Sequence, residues 1–263
     1  MRLADIEKTT VLSCVLKWLL FPFGMLTLAS AAADFNPVVL RQISLMPAGG
    51  GYATTTAAHS ALSSSASIGP AGVSIRPESA IPSYCSGATY LVFLKAIGVL
   101  QKSGSIRLTR SQWEALLPAA MADGHGVWGR WNANGPGTAR LFHELGIGRN
   151  FTSLAEARAG DFLKIFWTDA VGKKERGHSV VFLGTESQDG VEHIRFWSSN
   201  KPGGYGEKSV PRSKIARMLF SRLEFPEALS RLESLPRSDP YLARLLRTES
   251  SFREACKMSG VAP

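Results

Sequence analysis

Tyr84-Cys85-Ser86-Gly87-Ala88-Thr89-Tyr90-Leu91-Val92-Phe93-Leu94-Lys95-Ala96-Ile97-Gly98-Val99-Leu100 is the stretch on which the fold turns. Ala88, Leu91, Val92, Lys95, Ala96 and Val99 include the i, i+3, i+4 spacing of a buried helix face, so the pattern predicts a helix over 85–100. The segment is apolar on nearly all sides, which places that helix at the centre of a core rather than on its surface. Cys85 opens it. A thiolate at a helix start is stabilised by the free backbone N–H groups and by the helix dipole, which lowers its pKa and makes it a nucleophile. Ser86 and Gly87 are small enough for a substrate carbonyl to approach the backbone, where an N–H near Cys85 could form part of an oxyanion hole. A cysteine at a helix start is by itself more often a buried structural residue. The catalytic reading therefore needs a base on a second element.

Beyond this helix the periodicity changes. Ser111 to Leu117 reads as a short helix, with Ser111 a candidate N-cap and Glu114 three residues on. Gly124 to Gly137 reads as a loop rich in Gly, Asn and Trp. Its Trp128 and Trp131 either pack back on the core or line a substrate groove. Thr138 to Leu145 is a helix closed by Gly146. Asp161 to Trp167, His178 to Leu183 and Val191 to Ser198 then read as strands, with a hairpin signal at Gln188-Asp189-Gly190 and Gly184 ending the second. Gly203 to Gly206 reads as a loop, and Ala216 to Leu223 as strand in preference to helix. Helices followed by a run of antiparallel strands give an α+β domain.

The second strand carries the base. Gly177-His178-Ser179 stands at its start, where a strand end holds an imidazole more rigidly than a loop. His178 can accept the thiol proton and later protonate a leaving amine. A third group should orient the ring. Ser198 and Asn200 alternate onto one face at the end of the next strand, and Asn200, whose amide oxygen can accept from imidazole, is preferred. His125 competes for the base role but lies in a glycine-flanked loop. The candidate catalytic residues are thus Cys85, His178 and Asn200, and the candidate substrate contacts are Tyr84, Ser86, Trp128, Trp131 and Ser198. No cluster of His, Cys and Asp has zinc-site spacing, so neither a metal nor another cofactor is expected.

Three blocks in order resemble the NlpC-type cell-wall peptidases, a papain-like superfamily that includes the CHAP amidases. Cys85-Ser86-Gly87 is similar to their Cys-Ser-Gly nucleophile block. Ala159-Gly160-Asp161-Phe162-Leu163-Lys164-Ile165-Phe166 is similar to their Pro-Gly-Asp-Leu-Val-Phe-Phe strand, and Gly177-His178-Ser179-Val180-Val181-Phe182-Leu183-Gly184 to their Gly-His-Val strand. The resemblance covers roughly residues 81–223. It implies a papain-like fold, in which a nucleophile helix packs on an antiparallel sheet bearing the histidine. It also implies thiolate attack on an amide of a peptidoglycan stem peptide or of its link to the sugar. The chain departs from the family at Tyr84, where an Asp commonly stands, and in the longer stretch between Cys85 and His178.

The remaining segments frame this domain. Arg2 and Lys8 precede an apolar run from Val11 to Leu28, followed by Ala29-Ser30-Ala31-Ala32-Ala33. That is the pattern of an export signal over residues 1–33, and it makes the protein periplasmic or secreted. Lys17 and Pro22 argue against a membrane span, and an uncleaved anchor is the alternative. Residues 34–76 are dominated by Ala, Gly, Ser and Thr and read as a flexible linker, with His59 solvated. The hydrolase domain takes 77–225. Residues 226–263 form a separate helical extension, with Asp239 capping a helix over Tyr241 to Lys257. Cys85 and Cys256, the two cysteines beyond the signal, could pair. A net charge of +9 suits wall polymers or other polyanions, while no nucleic-acid-binding motif is present. Three functions remain open: a wall hydrolase acting on peptidoglycan or a related wall peptide; a non-catalytic wall- or glycan-binding module using its tryptophans; and an exported thiol acyltransferase or toxin-like hydrolase.

Overall fold

A computed structural model of the chain describes residues 33–262, apart from residue 71. The export signal read over residues 1–33 lies outside the described residues but for Ala33. In chain order the elements are α1 (Asn36–Ile43), β1 (Gly49–Gly50), α2 (Thr56–Ser64), β2 (Ala66–Gly69), β3 (Gly72–Ile75), α3 (Cys85–Lys102), α4 (Arg110–Leu116), α5 (Gly126–Asn132) and α6 (Gly137–Leu145). There follow β4 (Gly148–Phe151), β5 (Phe162–Phe166), β6 (Val171–Gly172), β7 (Gly177–Gln188), β8 (Val191–Asn200), β9 (Gly204–Pro211), β10 (Arg217–Leu223), a 3₁₀ segment (Pro226–Ser234), α7 (Pro240–Arg244), β11 (Glu249–Ser250) and α8 (Phe252–Met258). The fold is α+β, with an antiparallel sheet and several helices.

Seven strands form the main sheet in the order β1-β9-β8-β7-β5-β10-β4, every neighbouring pair antiparallel. Strand alternation sends Phe162, Val181, Trp197 and Tyr205 to the face covered by helices, where they join the core built around α3. Leu163, Val180, Phe182, Phe196 and Phe220 go to the opposite face and form a second cluster. Helix α3 packs on β7 and β8 from one side and is covered by α1, α5 and β3. Lys95, Val99 and Lys102, spaced i, i+4, i+7, are its stripe toward solvent. The strand expected to end at Gly184 continues to Gln188. Gly184 adopts φ +139° at a register shift between Phe182 and Gly184, so the strand bends there instead of stopping.

Other readings change as well. Residues 34–76, expected to be a flexible linker, are built into the fold from α1 onward. Val39 is fully buried, and Asn36 Nδ2 donates to Asp161 Oδ1 over 2.8 Å, alongside the bidentate Arg222–Asp161 pair. This segment is held by backbone pairing as well as by apolar burial: β1 pairs with β9, Tyr52 N–H donates to Pro202 O, Ala53 N–H donates to Ser83 O, and Val39, Ala58 and Leu62 join the core around α3. Gly204, at φ +89°, allows the approach of β1, since a Cβ there would meet the carbonyl of Gly49. The loop read over 124–137 contains α5, because Val127, Trp128 and Trp131 bury together and override weak local helix propensity. The loop read over 203–206 is the start of β9.

The C-terminal region is neither a separate piece nor one helix. The described residues form a single compact unit. Asp239 caps α7 by accepting from the Leu242 N–H at 2.8 Å, as the sequence suggested, and also pairs with Arg140 at 2.7 Å. The chain then leaves the helix, pairs β11 with β6, and restarts at α8, where the Ser251 hydroxyl caps Glu254 N–H. The Ser251 hydroxyl takes a local backbone N–H, which interrupts the helix that the apolar spacing alone predicted. The second short helix is capped by Thr109 and Gln112 rather than by Ser111 and Glu114.

Candidate active site

The first turn of α3 is uncapped. Tyr84 precedes it in extended conformation (φ −142°, ψ 163°) and no side chain accepts from its free N–H groups. Cys85, half-buried, is the first helical residue, and its thiol is free, as is that of buried Cys256 on α8. The two sulfurs expected to be able to pair are not bonded.

Strands β7 and β8 bring the other two candidates together. His178 is the second residue of β7 and Asn200 the last of β8. His178 Nε2 lies 3.0 Å from Asn200 Oδ1. The amide nitrogen of Asn200 is committed to the Gly206 carbonyl at 2.8 Å, so its oxygen faces the ring and must accept. Nε2 therefore carries the hydrogen, and Nδ1 is left as the basic nitrogen. Trp167 stacks on the imidazole with a centroid distance of 6.2 Å, and Phe196 meets it edge-on at 5.6 Å. The ring is thus held by a hydrogen bond and two aromatic side chains.

Burial acts to raise the Cys85 thiol. It is outweighed by the hydrogen bond and charge of His178, the backbone N–H of Ser179 and the charge of Lys164, which together bring the thiol down to about 6. Lys164 lies on β5 directly opposite Ser179 and is paired to buried Glu175 at 2.7 Å. Tyr52 completes the surroundings. Burial raises its phenol well above the ordinary value, and the neighbouring Cys85 raises it further. The Tyr52 hydroxyl therefore stays protonated beside the sulfur.

The expected substrate contacts are placed otherwise. Ser86 is buried and its hydroxyl donates to Asn132 Oδ1 at 2.7 Å; Asn132 in turn donates to Asp123. Ser198 is fully buried and its hydroxyl donates to the Ser179 carbonyl at 2.7 Å, locking β7 to β8 just behind His178. Tyr84 is buried, with its hydroxyl 2.8 Å from His59 Nδ1, so His59 is engaged rather than simply solvated. Trp131 is a core residue, packed on Tyr90, Phe93 and Phe162, and its indole N–H donates to Thr89. Trp128 is also buried, but it borders a wide groove with Thr56, His59 and Ser63. His125, the rival base, sits at the start of α5 in a separate cavity lined by Leu232 and Pro236.

Tyr52, Trp167 and Lys164 were not singled out in the sequence. Tyr52 follows Gly49-Gly50-Gly51 in a stretch too poor in apolar residues to suggest a fold. Trp167 and Lys164 belong to a strand whose pattern speaks of burial and not of chemistry. Among the described residues no group of His, Cys, Asp and Glu could hold a metal ion. Among the described residues no helix is long and apolar enough to cross a membrane. Comparison with protein-family models, with curated proteins and with solved structures finds no match.

Proposed function

We propose that the protein is an exported cysteine hydrolase of papain-like type that opens amide bonds in peptidoglycan or a related wall peptide. The observation that carries the catalytic part is the His178–Asn200 hydrogen bond beside a thiol lowered to about 6 at an uncapped helix start. The wall substrate rests on the three ordered sequence blocks and on the export signal.

In this reading Cys85 Sγ, as thiolate, attacks the amide carbon while the imidazolium of His178 stands beside it. The S–C bond forms and the carbonyl π pair moves to oxygen. That oxyanion is met by the Cys85 backbone N–H, left free by the absence of a cap, and by the Tyr52 hydroxyl. His178 gives its Nδ1 proton to the amide nitrogen, the C–N bond breaks, and the amine leaves. Water then loses a proton to Nδ1 and attacks the thioester, which releases the acid and restores the thiolate–imidazolium pair. Asn200 keeps Nε2–H engaged throughout, so the ring always turns Nδ1 to the sulfur.

Burial of Trp128, Trp131 and Trp197 counts against a non-catalytic glycan-binding module, which needs exposed aromatic faces. The test is mass spectrometry of purified peptidoglycan digested by the wild type and by Cys85→Ala. New termini produced by the wild type alone are expected; identical digests overturn the proposal.

A further inference from the structure

One buried ion pair beside the nucleophile takes no part in the proposed bond making. Lys164 Nζ on β5 stands 2.7 Å from Oε1 of Glu175, in the turn before β7, and only 14% and 1% of the two side chains are exposed. The fold fixes the carboxylate. Its Oε2 accepts from the backbone N–H groups of Gly135 and Gly172, while its buried Oε1 meets, among the described residues, the ammonium alone. Gly177 leaves room for the pair, since a Cβ there would come within 2.6 Å of Glu175 Oε1 and 2.7 Å of Lys164 Cε. His178 follows Gly177 directly. Ser179, whose N–H reaches the Cys85 sulfur, stands opposite Lys164 across the β5–β7 ladder. The pair is thus built against the strand that carries the base.

We infer that Lys164 is a positioning residue of the proposed site: clamped by Glu175, its ammonium keeps a permanent positive charge toward the Cys85 sulfur, and Glu175 limits the strength of that charge. This deepens the proposed function and rests on the reactive Cys85 thiolate assigned there. The imidazolium of His178 gives up its proton in each turnover, whereas the ammonium of Lys164 keeps its own. Being buried, the ammonium is also little screened by salt. The other titratable groups about the sulfur are His178, Tyr52, Tyr84 and Asp123, the last linked to the first turn of α3 through Asn132 and Ser86. The remaining charges on elements packed against α3 act elsewhere. Arg130 of α5 is paired to Glu144, Arg41 of α1 is exposed, and Glu186, Glu192, His193 and Arg195 lie toward the hairpin end of β7 and β8, away from His178 and Asn200.

Iodoacetamide labelling of Cys85 against pH tests this, because removing charges of opposite sign must move the midpoint in opposite directions. A cation close to an acid lowers its midpoint by about one unit or more. In Glu175→Gln the ammonium loses its counter-charge, and the midpoint should fall below that of wild type. Lys164→Met/Glu175→Gln strands no buried charge, and its midpoint should rise above wild type by about one unit, which at pH 5 is about tenfold slower labelling. A purely scaffolding role would loosen the site in both variants and move both midpoints the same way. Shifts of one sign in both, or a double variant at or below the wild-type midpoint, overturn the inference and leave the nucleophile standing. A wild-type midpoint at the ordinary cysteine value overturns the proposed function and this inference with it.

Discussion

His178 Nε2 and Asn200 Oδ1 stand 3.0 Å apart on adjacent strands, and the Asn200 amide can offer only its oxygen because its nitrogen is held by Gly206. One side-chain orientation thereby decides which imidazole nitrogen faces the sulfur. Asn200→Ala should release the ring to either tautomer and remove a hydrogen bond that strengthens when the imidazolium forms. Such bonds to charged groups contribute about 1.5–3 kcal/mol, so kcat/KM should fall about 10- to 100-fold. His178→Ala should cost more, about 10²–10⁴-fold, because general acid–base transfer is lost altogether. Steady-state kinetics on any cleaved amide decides this. Equal losses in the two variants would show that Asn200 does more than orient.

The thiol of Cys85 is lowered to about 6, so its charged form is present above that pH and is lost as pH falls through it. Iodoacetamide labelling should therefore rise along a curve centred near pH 6, two to three units below an ordinary cysteine at about 8.5. In His178→Ala the opposing effect of burial gains ground, and the midpoint should move up. Labelling rates from pH 4 to 9 measure both midpoints. A wild-type midpoint at the ordinary value would remove the activated thiolate.

Tyr52 stands beside Cys85 and is kept protonated by burial and by the neighbouring sulfur. Tyr52→Phe retains the ring on which Lys201 sits and removes only the hydroxyl. Loss of one oxyanion donor costs about 10²–10³ in kcat, and KM should change little. The same variant should keep its fast iodoacetamide reaction, since that displacement builds no oxyanion. A kcat within twofold of wild type would take Tyr52 out of the mechanism.

His178 and Asn200 were legible in the sequence because strand alternation is a two-residue rule: once β7 and β8 are recognised, the residues that share a face follow. Cys85 was legible because the apolar run begins there and nowhere earlier. Tyr52 was not, because it follows a glycine run and is held by backbone bridging to Pro202 and Ser83, which leaves no hydrophobic period to read. Helix α5 was missed for a related reason. Its glycines lower local propensity, and it forms because Trp131 and Arg130 are buried by the rest of the fold, the latter through bonds to Glu144, Gly126 and Pro236. Ser86 and Ser198 lie within two residues of candidate catalytic residues in the sequence, yet their hydroxyls face inward and serve the scaffold. Adjacency in the chain to a functional residue carries little information about exposure.

Segment 36–75 delivers Tyr52, and its attachment depends in part on one buried cluster. Asp161 is fully buried, bonded to Arg222 through both oxygens at 2.8 and 2.7 Å, and receives Asn36 Nδ2 from α1. Removing one member of a buried ion pair strands the other charge, at about 3–5 kcal/mol. Asp161→Ala should therefore lower the urea midpoint sharply, because Arg222 is almost as buried as its partner. It should also loosen α1, read as earlier proteolysis in residues 34–50. Asp161→Leu/Arg222→Met removes both charges and should recover much of the lost stability, while Asn36, still without its acceptor, keeps α1 weaker than in the wild type. Denaturation of the single and double variants separates the two contributions. If Asp161→Ala unfolds within about 1 kcal/mol of wild type, the cluster does not anchor the segment, and backbone pairing together with the burial of Val39, Ala58 and Leu62 holds it in place.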